Sequence, residues 1–200
     1  HGPMRDVLLQ SRFVGSSGEV TKAGGPTVKN VSGFDLCRLL VGSRGTLGFL
    51  GDVILRTRPL PRASRWFCTD RDPFELLATL YRPVGILWDG RTTWVRLDGD
   101  PGDVETIATA TRLVETDGAP PLPGPHRWSV APSELGAMRT EEPGTFIAEI
   151  GVGVVHRPTA APHREPDPAV RAVHDRIKAQ FDPTGRLNPG VDPLTVGSAR

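Results

Sequence analysis

The glycines of one segment supply the first chemical lead. Gly24-Gly25-Pro26-Thr27-Val28-Lys29-Asn30-Val31-Ser32-Gly33-Phe34-Asp35-Leu36 runs on toward Leu39-Leu40-Val41-Gly42-Ser43-Arg44-Gly45-Thr46-Leu47-Gly48-Phe49-Leu50. A residue without a Cβ lets a ligand approach the backbone and exposes N–H groups to it. Gly42, Gly45 and Gly48 recur every third residue between a helix end and a strand start. That pattern suits a backbone cradle for a flat or phosphorylated cofactor. It is not a Walker A loop, because Lys29 lies upstream and no Gly-Lys-Ser/Thr follows. It is not a Rossmann fingerprint, because no strand leads directly into it. Tight loops needed only for packing would use the same glycines.

Histidine and cysteine add less. His1, His126, His156, His163 and His174 include no pair at i,i+4 and no His-Glu-x-x-His, so no metal site is expected. His156 follows Gly151-Val152-Gly153 and is the candidate acid–base group, with a structural histidine as the alternative. Cys37, among Leu36, Leu39 and Leu40, reads as a buried free thiol. Two cysteines and no secretory leader point to a reducing, cytoplasmic setting.

The bulk composition narrows the class. Lys+Arg 24 against Asp+Glu 23 leaves a net charge of +1, which argues against a nucleic-acid binder. A hydrophobic fraction of 38% allows a modest core, and 23 glycines with 20 prolines make the chain rich in loops. No apolar run approaches the roughly 18 residues of a membrane span. The chain starts at His1 and not at Met, so it is expected to be a piece of a longer product.

The elements that must position these residues follow from punctuation and period. Val7 to Val14, a turn at Gly15-Ser16-Ser17-Gly18 and Glu19 to Lys22 form a hairpin. Asp35 can cap a short helix that Gly42 ends. A strand follows over Phe49 to Arg58, and Pro59-Leu60-Pro61 marks a boundary. Next come a strand at Trp66-Phe67-Cys68 and a helix opened by Asp72-Pro73. Val84 to Trp88 and Thr92 to Leu97 form two strands joined at Asp89-Gly90-Arg91. A helix starting at Asp103 carries Val104, Ile107, Thr111 and Val114 on one face. This order is most of a split β-α-β unit. Ala119 to Pro125 reads as an exposed linker or lid, and Thr145 to Val155 as one strand. A last helix has Val170, Val173, Ile177 and Phe181 on one side, and Asp182-Pro183-Thr184-Gly185 stops it.

Three ordered motifs carry a family resemblance. Residues 28–61, from Val28-Lys29-Asn30-Val31-Ser32-Gly33-Phe34-Asp35-Leu36 through Gly45-Thr46-Leu47-Gly48 to Arg58-Pro59-Leu60-Pro61, resemble the second half of a vanillyl-alcohol-oxidase-type (PCMH-type) FAD-binding domain. Gly2-Pro3-Met4-Arg5-Asp6-Val7-Leu8 resembles the segment that precedes the hairpin there. Phe181-Asp182-Pro183-Thr184-Gly185-Arg186-Leu187-Asn188-Pro189-Gly190 resembles the C-terminal ending of the family. Within it, the chain resembles the smaller FAD-binding subunit of bacterial glycolate oxidases.

The resemblance implies an α+β fold: the C-terminal half of the FAD-binding domain (1–62), a small antiparallel α+β cap (63–155), and a C-terminal helix with the Asn-Pro-Gly segment returning to the first part (156–200). It implies FAD as cofactor, with Gly45, Thr46, Leu47, Gly48 and Phe49 at the cofactor, Lys29, Asn30, Gly33 and Asp35 nearby, and Asn188 approaching the flavin. Phe34 stands where the family has Tyr, and Arg44 where many members have Glu. The pyrophosphate loop of the family would precede residue 1. The implied activity is FAD-dependent oxidation of a 2-hydroxy acid such as glycolate. The implied partners are a larger flavoprotein subunit and an iron–sulfur subunit, with attachment at the inner membrane only through them. The alternative is a non-catalytic assembly subunit. From the residues themselves, Asp35 also reads as a helix cap, Lys29 as a surface charge and Asn188 as a turn former.

Overall fold

A computed structural model describes residues 4–27, 35–162 and 165–194. They divide into two compact units, one of residues 59–162 and one of residues 4–58 with 165–194. The fold is mixed α/β with antiparallel sheets.

After a 3-10 turn over Met4–Asp6 come β1 (Leu8–Val14) and β2 (Val20–Gly24), the expected hairpin. Next comes α1 (Leu36–Leu40), capped by Asp35, whose carboxylate accepts the Arg38 N–H at 3.1 Å. β3 (Phe49–Leu55) lies on the other side of β1, giving the order β2-β1-β3. The register skips Gly51 opposite Arg12 and Phe13, a bulge that resets which face each later residue takes. The strand ends at Leu55, short of Arg58, and Phe49, Val53 and Leu55 lie exposed. The small core of this unit gathers Leu8, Phe13, Ala23, Cys37, Leu40 and Leu47. Cys37 is a buried free thiol, and burial pushes its pKa up, with Asp35 adding to the shift.

The second unit is built on β4 (Ala63–Thr69), α2 (Pro73–Thr79), β5 (Gly85–Trp88), β6 (Thr93–Gly99), α3 (Pro101–Thr111) and β7 (Val114–Thr116). Their order in the sheet, β7-β4-β6-β5, is antiparallel throughout and completes the split β-α-β unit. β8 (His126–Ser129), β9 (Ile147–Glu149) and β10 (Val154–Arg157) extend it to seven strands in the order β7-β4-β6-β5-β9-β10-β8. Alternate residues of the strands, among them Phe67, Ile86, Trp88, Val95, Ala148 and Val155, form the core with Leu76, Val104 and Leu135. Trp88 stacks edge-on against Phe146 at 5.4 Å.

Three expectations change here. Asp100, not Asp103, caps α3, because Pro101 takes the first helical position where no N–H is needed. The helix stops at Arg112, which adopts a left-handed φ of 57°, so Val114 leaves the helical face and joins β7 against Cys68. The single strand expected over 145–155 is a hairpin, since Gly151 and Gly153 both take φ of 82° and turn β9 back into β10. A Cβ on Gly153 would stand 2.3 Å from the Val130 carbonyl oxygen, so glycine is required there. β8 and a 3-10 helix over Pro132–Thr140 were not expected, because neither carries a clear apolar period.

The chain then forms α4 (Pro168–Phe181), capped by Asp167. Its expected apolar side is only partly used. Ile177 and Phe181 pack on the small core, while Val170 and Val173 remain about half exposed. No helix among the described residues is long and apolar enough to cross a membrane.

Candidate functional site

The glycine segment resolves into one tight turn. The Thr46 N–H donates to the Ser43 carbonyl at 3.0 Å, closing a four-residue turn whose central residues, Arg44 and Gly45, have φ of 52° and 77°. Two successive positive φ values are those of a type I′ turn. Gly45 adopts its conformation freely, whereas Arg44 carries a cost of roughly 1–2 kcal/mol for its Cβ. The Thr46 hydroxyl also donates to the Ser43 carbonyl, at 2.7 Å, and both Thr46 and Leu47 are buried.

The C-terminal segment grips this turn from one side. The Lys178 ammonium, in the last turn of α4, donates to the Thr46 carbonyl at 2.8 Å, the Leu187 carbonyl at 3.0 Å and the Asp182 carboxylate at 2.6 Å. Asp182 in turn accepts the N–H groups of Arg186 at 2.9 Å and Leu187 at 2.8 Å. Burial of Asp182 acts to raise its pKa, but the Lys178 ammonium and the two N–H donors outweigh it and leave the value at about 2. One step further, Asn188 Nδ2 donates to the Arg44 carbonyl at 2.5 Å. The Ser16 hydroxyl ties the hairpin to the end of α4 through the Phe181 carbonyl at 2.9 Å.

These contacts have a chemical consequence. In a planar trans peptide the C=O and N–H point in opposite directions, and no cis peptide is present among the described residues. With the Arg44 and Thr46 carbonyls held toward Asn188 and Lys178, the N–H groups of Gly45 and Leu47 point away from those side chains. Backbone donors turned away from these two side chains fit a ligand rich in acceptor atoms, such as a pyrophosphate or a flavin ring.

The residues proposed from sequence fall into several places. Gly45 lies beside Asn188, and Thr46, followed by Leu47, is held through its carbonyl by Lys178. Gly48 continues the turn, and a Cβ there would stand 2.5 Å from Phe13 Cδ2, so this glycine has a packing cause within the unit. Phe49, 70% exposed, begins β3. Asp35 caps α1 and pairs with Arg38 at 3.3 Å. Lys29, Asn30 and Gly33, with Phe34, lie outside the described residues. His156 belongs to the other unit, where its Nε2 lies 2.8 Å from Glu149 Oε1 across the β9–β10 hairpin. Arg127 of β8 stands opposite it in the register.

Sequence reasoning did not find Lys178, Asp182 or Glu149 as site residues. Lys178 and Asp182 do show the i,i+4 spacing of a helical pair, but nothing local shows that the ammonium reaches Thr46.

The family described as FAD linked oxidases, C-terminal domain, matches residues 137–191, which contain the His156–Glu149 pair and the Lys178–Asn188 segment. The chain is 34% identical over 111 residues to glycolate oxidase subunit GlcE of Escherichia coli (strain K12), covering 52% of this chain and 32% of that protein. It is 37% identical over 127 residues to glycolate oxidase subunit GlcD of Bacillus subtilis (strain 168), covering 59% and 27%. It is 38% identical over 64 residues to the mitochondrial D-lactate dehydrogenase [cytochrome] of Arabidopsis thaliana, covering 32% and 11%. The chain thus spans about a third or less of the length of these relatives. A solved structure of alkyldihydroxyacetonephosphate synthase shares the fold at a TM-score of 0.59 and 10% identity, over 95% of this chain and 54% of that one. Over residues 137–191 the chain is thus similar to the C-terminal domain of FAD linked oxidases.

Proposed function

We propose that this chain is part of an FAD-dependent oxidoreductase that oxidises a 2-hydroxy acid such as glycolate, as one subunit of a glycolate oxidase-type complex. Its partners in this reading are a larger flavoprotein subunit and an iron–sulfur subunit. The observation that carries it is the grip of the C-terminal segment on the Arg44–Thr46 turn, which turns the Gly45 and Leu47 N–H groups away from Asn188 and Lys178.

In this reading residues 1–62 and 156–200 serve FAD and residues 63–155 serve as the cap. Gly45, Thr46, Leu47, Gly48, Phe49 and Asn188 hold the cofactor, with Lys29, Asn30, Gly33 and Asp35 beside them. FAD, bound noncovalently, supplies the two-electron acceptor for the carbon that bears the hydroxyl. The chain's own part is to bind and orient it through backbone N–H groups. His156 is the acid–base candidate. Glu149 holds its Nε2, which leaves Nδ1 to take a hydroxyl proton.

The test is the full-length protein, purified alone and with its partners. The reading expects flavin absorbance, release of free FAD on denaturation, and bleaching when glycolate or D-lactate is added without oxygen. Absence of flavin in both preparations overturns it. A second reading, a non-catalytic assembly subunit, is favoured by the exposed apolar residues Val53 and Leu55 on β3 and Val170 and Val173 on α4. A complex that forms around the chain without flavin in it supports that second reading.

A further inference from the structure

We infer that Lys178 is a positioning residue for the cofactor: its ammonium fixes the direction of the Thr46–Leu47 peptide and so aims the Leu47 N–H at FAD. This rests on the reading that the turn meets FAD.

Three observations carry it. The ammonium has three acceptors, and only one of them, the Thr46 carbonyl, lies outside the C-terminal segment, 132 positions away in sequence. Its counter-charge is buried: the Asp182 side chain has no exposed surface and is held by two further backbone N–H donors. The ammonium is therefore anchored and cannot swing away from the turn without leaving a buried carboxylate unpaired. Finally, the neighbouring Arg44–Gly45 peptide is held in the same sense by Asn188. Both carbonyls point to the C-terminal segment, and both N–H groups point away from it.

A cation on a carbonyl oxygen also polarises the peptide and makes its N–H a stronger donor. Lys178 thus acts on the ligand through a peptide group, without touching the ligand. A salt bridge that merely closed the end of α4 would not require the Thr46 contact.

The test is FAD titration of the full-length protein by flavin fluorescence, below the melting temperature of every variant. Lys178→Met is expected to raise the FAD Kd at least about tenfold, the loss of one charge-assisted bond. Lys178→Arg, which keeps the charge and the donors, is expected to recover most of the affinity. Arg176→Met, which removes a charge from the same helix, is expected to leave the Kd within about twofold, a change too small to reflect a lost hydrogen bond. Folded Lys178→Met with the parent's Kd overturns the inference. If that variant does not fold, Lys178→Gln replaces it with the same two outcomes. A parent protein that binds no FAD overturns the cofactor reading itself, a result distinct from equal binding by parent and variant.

Discussion

The ring of Phe13 occupies the space beside Gly48 where a side chain would start, its Cδ2 2.5 Å from an ideal Cβ position. Phe13 is buried in the small core between β1 and α1. Gly48→Ala is therefore expected to destabilise this unit by roughly 1–3 kcal/mol through overpacking. Adding Phe13→Leu should recover part of that loss, because a smaller side chain vacates the contact. All four tryptophans lie in residues 59–162, so amide hydrogen exchange at residues 43–48 is the suitable readout. Equal protection in parent and Gly48→Ala would rule out the packing account.

Arg44 takes a left-handed φ of 52° in the turn. Glycine has no Cβ to strain there, although it gives up more freedom on folding. Since the Cβ penalty exceeds that loss, Arg44→Gly is expected to stabilise the unit by about 0.5–1 kcal/mol. The carbonyl that accepts from Asn188 is retained. Chemical denaturation followed by circular dichroism checks the sign.

Asp182 has a pKa lowered to about 2 from an ordinary 3.8. A carboxyl with a depressed folded-state value binds its proton less readily than in the unfolded chain. Its contribution to stability is complete above the ordinary value and is lost as pH falls from there through about 2. Exchange of the Leu187 amide, whose N–H bonds Asp182, should accelerate across that window beyond the intrinsic pH trend. Asp182→Asn should remove this acid step. An acid limb identical in the two proteins would contradict the assignment.

The His156–Glu149 pair lies 83% buried at the imidazole side chain and bonded at 2.8 Å. If His156 moves the substrate hydroxyl proton, His156→Asn is expected to lower kcat by roughly 10²–10⁴. Glu149→Gln should lower kcat less, with little change in KM. Steady-state rates with glycolate or D-lactate decide this. A stability loss without a kcat loss would assign the pair to the sheet instead.

Local signals in the sequence determined the elements that depend on neighbours along the chain. The β1–β2 hairpin follows from its glycine turn, α1 from Asp35, α2 from Asp72-Pro73, and the β5–β6 hairpin from Asp89-Gly90. Caps and turns act within a few residues, so their chemistry is written in the residue types themselves. The same holds for the glycine turn and the Asn-Pro-Gly ending as separate motifs. The cap of α3 at Asp100 carries the same local Asp-Pro signal as α2, whereas the folding back of 145–155 into β9 and β10 was decided in three dimensions. The contacts of the candidate site belong to the same class. Lys178 reaches Thr46 across 132 positions and Asn188 reaches Arg44 across 144. In both, the acceptor is a backbone carbonyl, which every residue possesses, so no side-chain type marks Thr46 or Arg44 as a partner. Only the packing of α4 against the first sheet chooses those two carbonyls, and with them the direction in which the turn presents its N–H groups.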